Sequence, residues 1–313
     1  MPCQLCAGHF FKVTGGFRMI KLKSKKTRMG IMLFLVPALV IYLVFQIIPI
    51  IGSIYFSLVD WNGIAGSAPK FVGLKNYIDA FHNADFILSL KNMARMVIIS
   101  VICHTPIALL MAVAINTKCK GYRIFKALFF VPTVFPLTAV GLMWYFIFMP
   151  TGSFNSLLEV IGLSDLVMPW LVDPATAMNT IVFVNVWAGV GYYMVIILAG
   201  LTTIPDDVYE AAAIDGATSI QKFFKITVPM LKPILAMCIL MDIIGSVKVF
   251  DLVFAMTGGG PNGLTNLPTT LMYNEAFKYN HYGVGSAIGI IIMVICIVGT
   301  VGSNLITNRK KAE

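Results

Sequence analysis

The chain has 313 residues, of which 58% are hydrophobic and 12% charged, with a mean hydropathy of +0.86 and a net charge of +9. Soluble domains carry about 25% charged residues, so too little polar surface is present to cover a water-soluble globule. The solvent for most of this chain is lipid.

The first 28 residues form a basic leader. Cys3, Cys6 and His9 make a C-x-x-C-x-x-H cluster of metal-ligand types. A zinc site needs four ligands and an ordered outer shell, so no metal site is expected there. Only Lys21 to Arg28 is needed as the basic flank of the first apolar run. Gly15 and Gly16 precede Met19, and their codons can contain a ribosome-binding purine tract. Translation is therefore expected to begin at Met19. The run that follows is too long for a cleaved secretory signal and lacks a small-residue cleavage site.

Spanning a bilayer takes about 20 apolar residues. Six runs qualify: Gly30 to Ile54, Met93 to Ile115, Ala127 to Phe148, Met178 to Leu201, Ile234 to Met256 and Val284 to Ile306. Lipid offers no partner to a free N–H or C=O, so the runs are predicted as helices. Pro37, Pro49, Pro106, Pro132 and Pro136 are expected to kink or end some of them. The short alternating strands of a transmembrane barrel are absent from the pattern. The fold class is thus an all-α polytopic membrane protein. Its membrane domain is expected over 29–308, with a C-terminal tail at 309–313.

Lys and Arg placement predicts the orientation. With the N-terminus inside, the inner segments hold seventeen of the 23 Lys and Arg: seven up to Arg28, four from Lys118 to Lys126, then Lys222, Lys225 and Lys232, and three from Arg309 to Lys311. The outer segments hold five: Lys70, Lys75, Lys91, Arg95 and Lys278. Both termini are therefore expected in the cytoplasm, and the positive charge needs no nucleic-acid partner. The six cysteines are scattered, and three fall in spans, which argues against a disulfide framework.

Residues 205–233, PDDVYEAAAIDGATSIQKFFKITVPMLKP, break the apolar pattern on the cytoplasmic side. Pro205 stops the fourth span or caps the next segment, and Asp206 or Asp207 can serve as N-cap of a short helix. Gly216 frees the backbone for a turn. Thr218 or Ser219 can cap a second helix, and Pro229 and Pro233 lead into the fifth span. Ala211, Ala212, Ala213 and Ala217 permit close approach of another backbone, with Glu210 and Asp215 as fixed negative charges for a partner's Arg or Lys. An ordinary solvated hairpin at the membrane surface is the alternative.

Within the spans, Asp242, Gly245, Ser246 and Val249 share one helical face of the fifth. Asn185, Gly189, Tyr192 and Tyr193 share one face of the fourth. An intramembrane Asp faces an interior or a watery cavity. Asp242 and Tyr192 are read as lining a path, and Gly189 and Gly245 as path or helix packing. Lys248 and Asp251, three apart, are expected to pair with each other. His104 stands alone in the second span and is read as packed or hydrogen-bonded. Trp61, Tyr77, Asn262, Asn266, Tyr273, Tyr279 and Tyr282 lie in the outer segments 58–92 and 257–283, where aromatics anchor at the interface. Gly258 to Gly260 end a membrane helix on the outer face. No G-x-x-x-x-G-K-[ST] occurs in the sequence, so no P-loop is present. No H-E-x-x-H, paired aspartates or nucleophile–base spacing points to an intramembrane enzyme.

EAAAIDGATSIQKFFKITVP, at 210–229, resembles the EAA loop of the membrane subunits of binding-protein-dependent ABC importers, and of the maltose-type permeases in particular. The matching residues are Glu210, Ala211, Ala212, Asp215, Gly216, Ala217, Phe223, Ile226 and Pro229. The resemblance extends to DWNG at 60–63, FVGLKNY at 71–77, KGYRIFKALFFVP at 120–132 and TGGGPNGLT at 257–265. It implies a type I ABC importer transmembrane domain whose loop docks on a cytoplasmic ATPase subunit. ATP and Mg²⁺ would be bound by that partner, with no cofactor in this chain. It also implies a second, different permease subunit, two ATPase subunits or domains, and an extracytoplasmic solute-binding protein that the outer segments help to dock. The setting is a bacterial or archaeal cytoplasmic membrane.

In maltose-type permeases, sugar contacts come from the spans flanking the loop. Gap-free alignment from Trp187 to Pro261 carries them onto Gly189, Tyr192, Asp242, Gly245 and Ser246. Several of these, Asp242 among them, differ from the maltose transporter. A carboxylate that accepts sugar hydroxyls suits a neutral or amine-bearing carbohydrate and disfavours an anionic one. The implied function is half of the path of an ATP-driven sugar or oligosaccharide importer. Two alternatives stay open: another cargo, such as glycerol phosphate or a polyamine, and an ion-coupled secondary transporter using Asp242 and Lys248. The second leaves the loop unexplained.

Overall fold

The computed structural model describes residues 25–64, 66–117 and 121–309. The Cys3, Cys6 and His9 cluster, Met19, Lys118, Cys119, Lys120, Lys310 and Lys311 lie outside the described residues. Contacts divide the chain into two units, 1–51 and 52–313. Among the described residues six segments are long and apolar enough to cross a membrane: Met32–Ser57, Ala84–Asn116, Leu137–Val160, Ala177–Leu201, Ser219–Val247 and Tyr282–Gly302.

The first unit is helix α1 (Lys25–Tyr42), a wider π-helical turn at Leu43–Ile47, and the start of α2 (Ile48–Ser57). Pro37 sits inside α1 without ending it. The π turn directly precedes Pro49, whose ring cannot fit under a regular α-helical carbonyl four residues back.

The second unit opens outside the spans with a small antiparallel pair, β1 (Val59–Asp60) and β2 (Lys70–Phe71), then α3 (Lys75–His82). Trp61 stacks on Phe56 and meets Tyr282 edge-on, and the Tyr77 hydroxyl bonds the Ser57 hydroxyl at 2.7 Å. These aromatics therefore pack within the unit as well as facing outward. Helix α4 (Ala84–Asn116) begins nine residues before the expected span, because Asn83 caps it by accepting from the Asp85 N–H. Pro106 lies inside α4 without ending it.

Two expected spans are broken. The third divides into α5 (Tyr122–Val134) and α6 (Leu137–Phe148), with Phe135 extended and Pro136 at the N-cap of α6. Pro132 sits inside α5, so only one of the two prolines breaks the helix. After α6 come α7 (Ser153–Val160) and then α8 (Ala177–Leu201), the fourth span. The polar stretch forms α9 (Asp206–Ile214) and α10 (Ser219–Lys222), followed by a π turn at Phe223–Thr227 and α11 (Val228–Val247). Pro229 and Pro233 lie within α11 rather than ahead of it. The fifth span stops at Val247, nine residues short of Met256. The chain resumes as α12 (Asp251–Thr257), which Gly258 ends in the left-handed conformation. Then follow α13 (Pro268–Tyr273), a π turn at Asn274–Lys278 and α14 (Tyr282–Arg309).

The break between α11 and α12 also removes the expected Lys248–Asp251 pair. The helix ends between them, and among the described residues no carboxylate reaches ion-pair distance of Lys248. Cys103, Cys238 and Cys296 are free thiols.

Buried apolar side chains gather in two clusters. The outer one includes Phe86, Met96, Ile181, Val247, Leu252 and Ile288, and the inner one Leu109, Met194, Ile197, Leu231 and Cys238. Helices α4, α8 and α11 run through both. Gly191 on α8 permits its crossing with α5: a Cβ there would sit 2.0 Å from the Phe129 carbonyl oxygen.

Candidate functional site: a buried polar layer and an exposed hairpin

Between the two apolar clusters, each of the three shared helices turns polar at the same level. Helix α4 contributes Ser100, His104 and Thr105, α8 contributes Asn185, and α11 contributes Asp242 and Ser246, all buried. Asn185 is eight residues from one end of α8 and sixteen from the other, so the layer lies about 12 and 24 Å from the ends at 1.5 Å per residue, with Gly189 at the midpoint of the helix. Buried polar groups at that depth need partners, and here most find one another; among the described residues the Thr105 hydroxyl has none. His104 Nδ1 lies 2.9 Å from Asp242 Oδ1, and Nε2 lies 3.3 Å from the Asn185 carbonyl oxygen. The Ser246 hydroxyl donates to the same Asp242 Oδ1 at 3.2 Å, and the Asn185 amide donates to the Ser100 hydroxyl at 3.0 Å. His104 is thus hydrogen-bonded, as expected, but it is not alone. Among the described residues Asp242 Oδ2 is buried with no close hydrogen-bond partner, and the Tyr193 side chain faces the same carboxyl.

A cavity of about 250 Å³ opens against this layer. All five path residues inferred from sequence line it: Gly189, Tyr192, Asp242, Gly245 and Ser246. They divide by role. Tyr192 is 41% exposed and presents its ring to the opening. Asp242 and Ser246 are each 2% exposed and sit at the base. A Cβ on Gly245 would meet nothing within 4 Å, so this glycine keeps space open and does not serve packing. A Cβ on Gly189 would lie 2.7 Å from His104 Nε2, so that glycine makes room for the imidazole.

Asn185, Tyr193 and Val249, placed by sequence on the same helical faces, line the cavity too, Val249 from the α11–α12 break. Sequence reasoning missed the wall supplied around the α5–α6 break, Pro132, Thr133, Phe135 and Leu137. Irregular backbone at membrane depth is tolerated where it lines a cavity or is buried in protein. Both breaks are stitched by side chains: the Thr133 hydroxyl donates to the Ala188 carbonyl at 2.9 Å, and the Thr269 hydroxyl to the Val249 carbonyl. Pro132 and Pro136, expected from sequence to kink or end a span, were the signal for the first break, which falls at Pro136.

The second feature is the hairpin of α9 and α10. Pro205, not Asp206 or Asp207, is the N-cap of α9. The two aspartates fall in its first turn, where the helix dipole favours negative charge. The end of α9 is a Schellman turn. Gly216 has φ +75°, its N–H donates to the Ala213 carbonyl at 3.1 Å, and the Ala217 N–H donates to the Ala212 carbonyl at 2.9 Å. Thr218 then caps α10 in a reciprocal box with Gln221. The Tyr209 hydroxyl bonds that of Thr227 at 2.9 Å, and Tyr209 and Phe223 pack against the inner cluster. The opposite side is bare: Ile214 is 87% exposed, Ile220 71% and Phe224 65%. Glu210, Ala211, Asp215, Gly216 and Pro229 are exposed around them, while Ala212, Ala217 and Ile226 are half-buried. Among the described residues neither Glu210 nor Asp215 forms an ion pair.

Interrupted helices beside a polar cavity at mid-span depth mark a membrane protein that moves a solute, and this chain is a multi-pass protein of that class. It belongs to the family described as the binding-protein-dependent transport system inner membrane component, whose model matches residues 104–312; it is a permease subunit of an ABC importer. Among its relatives, the probable ABC transporter permease YurN of Bacillus subtilis is 38% identical, covering 85% of this chain and 91% of its own. The trehalose/maltose transport system permease MalF of Thermococcus litoralis is 34% identical over 90% of this chain and 94% of its own. The multiple sugar-binding transport system permease MsmF of Streptococcus mutans is 32% identical over 90% and 95%. The fold is shared with the crystal structure of a bacterial ABC transporter that imports the acidic polysaccharide alginate. The TM-score is 0.79 at 22% identity, covering 91% of this chain and 96% of that one.

Proposed function

We propose that this chain forms half of the translocation path for a sugar or oligosaccharide and takes its power from a separate ATPase through the hairpin at 205–233. The observation that carries the path is the convergence of Gly189, Tyr192, Asp242, Gly245 and Ser246 on one cavity. Hydroxyl, carboxyl and phenol groups there suit a hydroxyl-rich cargo, and relatives whose names specify trehalose, maltose or multiple sugars support that class. A cavity of about 250 Å³ falls below the usual 300–1,000 Å³ of a complete ligand cleft. That size fits a site completed by a second, different permease subunit.

The hairpin supports the coupling role. It presents Ile214, Ile220 and Phe224 in a polar surround with unpaired Glu210 and Asp215, an apolar centre with a charged rim of the kind protein interfaces use. Two ATPase subunits or domains bind ATP and Mg²⁺ in this scheme. An extracytoplasmic solute-binding protein delivers the cargo. The chain sits in a bacterial or archaeal cytoplasmic membrane with both termini inside.

The test is a tagged pull-down from the native membrane in mild detergent, with mass spectrometry of the partners, followed by uptake of trehalose, maltose and maltotriose by the recovered complex in vesicles. Co-purification of an ATPase and a second permease, with ATP-dependent sugar uptake, supports the reading. Recovery of the chain alone, or uptake driven by an ion gradient without ATP, overturns it.

A further inference from the structure

The histidine in the polar layer does more than pack. A carbonyl oxygen only accepts, so His104 Nε2, which faces the Asn185 carbonyl at 3.3 Å, carries a hydrogen. The contact of Nδ1 with Asp242 Oδ1 at 2.9 Å also contains a proton. Two arrangements satisfy both contacts: an imidazolium against a carboxylate, or a neutral ring accepting from a protonated carboxyl. Each has zero net charge. The remaining arrangement, a neutral ring protonated at Nδ1 beside a carboxylate, would set the Nε2 lone pair against the Asn185 oxygen.

The geometry also decides which carboxyl oxygen is free. Oδ1 is engaged by His104 and by the Ser246 hydroxyl, whereas Oδ2 is buried with no close hydrogen-bond partner among the described residues, in a carboxyl that the Tyr193 side chain also faces and that lines the cavity. An unpaired buried acceptor is costly, and a cargo hydroxyl donating to it would remove that cost. Gly189 is the residue that admits the ring to this position.

We propose that His104 is a positioning residue: it holds Asp242 by Oδ1, keeps the pair electrically neutral, and leaves Oδ2 as the acceptor for a hydroxyl of an uncharged sugar. The last clause rests on the sugar-import reading; the first two do not. A pair without net charge gives no Coulombic advantage to an amine-bearing carbohydrate, which narrows the cargo class to neutral ones.

Two measurements on the intact complex test this. The first is solid-state NMR of ¹⁵N-histidine-labelled protein at neutral pH without cargo, with the His104 signals identified by their loss in His104→Asn. Nε2 is expected to be protonated, and an unprotonated Nε2 overturns the proposal. The second compares trehalose uptake by His104→Asn and His104→Gln. The Asn amide nitrogen superposes on Nδ1 and keeps the bond to Asp242. The Gln nitrogen superposes on Nε2 and keeps only the bond to Asn185. Losing one hydrogen bond to a charged group is worth about tenfold or more, so the Asn variant should import about ten times faster than the Gln variant. Equal rates, or a faster Gln variant, would show that His104 acts only by packing and by its bond to Asn185. If neither variant assembles, the NMR result decides. Absence of uptake of any probe sugar by the wild-type complex would count against sugar import, while the NMR result would still judge the pair.

Discussion

Replacing Gly216 gives a graded test of coupling, because the turn it forms has a defined geometry. Its φ of +75° lies in the left-handed region, where a Cβ costs about 1–2 kcal/mol. Gly216→Ala keeps both Schellman bonds and bears only that strain. Gly216→Pro cannot keep them. The ring fixes φ near −65°, removes the N–H that donates to Ala213 and swings Ala217 away from Ala212. Two bonds at about 1 kcal/mol each add to the conformational cost, for a total of about 3–4 kcal/mol. Gly216 is exposed and nothing lies within 4 Å of a Cβ built on it, so the membrane-spanning part stays intact. The penalty falls on the docked shape of the hairpin. At about 1.4 kcal/mol per decade, Ala should weaken ATPase association about 5- to 30-fold and Pro more than about 100-fold. The assay is co-purification and ATP-dependent uptake at several ATPase concentrations, normalised to inserted protein. Excess ATPase should rescue the Ala variant and not the Pro variant. Normal uptake by Gly216→Pro would refute the reasoning.

Glu210→Lys reverses an exposed charge without an internal partner. It should change stability by less than about 0.5 kcal/mol while abolishing uptake and ATPase co-purification; retention of both would remove Glu210 from the docking surface. Gly245→Leu enters open space beside Asp242, so thermal stability should hold while uptake falls at least about tenfold, and unchanged uptake would exclude this cavity from the path. Asn92 donates to the Leu264 and Asn266 carbonyls at 2.9 and 3.0 Å. Asn92→Asp removes both donors and should cost about 2–6 kcal/mol, at 1–3 per unsatisfied buried group; an unaltered melting temperature of the detergent-purified complex would show that those carbonyls find other partners.

Different parts of this structure were legible in the sequence to different degrees, for physical reasons. Hydropathy measures transfer into lipid, and it placed six apolar runs without error in number. It carries no information on backbone path, so α11–α12 read as continuous although it is broken beside the cavity, while the α5–α6 break was signalled only by Pro132 and Pro136. The turn at Gly216 was legible because its chemistry is local, with helix, glycine and capping residue adjacent in the chain. The α9 N-cap was left open between Pro205 and the two aspartates because each is a plausible helix start, and Pro205 takes it. Spacing failed for Lys248 and Asp251 because the i,i+3 argument assumes one helix across both. Helical faces brought Asn185, Tyr193, Asp242 and Ser246 to the correct side. The partner of Asp242 lies 138 residues away on α4, and neither periodicity nor composition links positions so distant. Asn83 and Asp85 offered a start signal for α4 that the apolar window hid.

The two apolar clusters with a buried polar layer between them give this subunit two close-packed blocks and one hydrogen-bonded plane. Interdigitated side chains in close-packed clusters do not slide past one another cheaply, whereas the layer between moves by trading its hydrogen bonds for new partners. Tyr209 and Phe223 root the hairpin in the inner cluster, so a thrust on Ile214, if the hairpin receives one as proposed, loads that cluster first and meets the polar plane of His104 and Asp242 next. On that reading the same few atoms would greet the cargo and take up the motion.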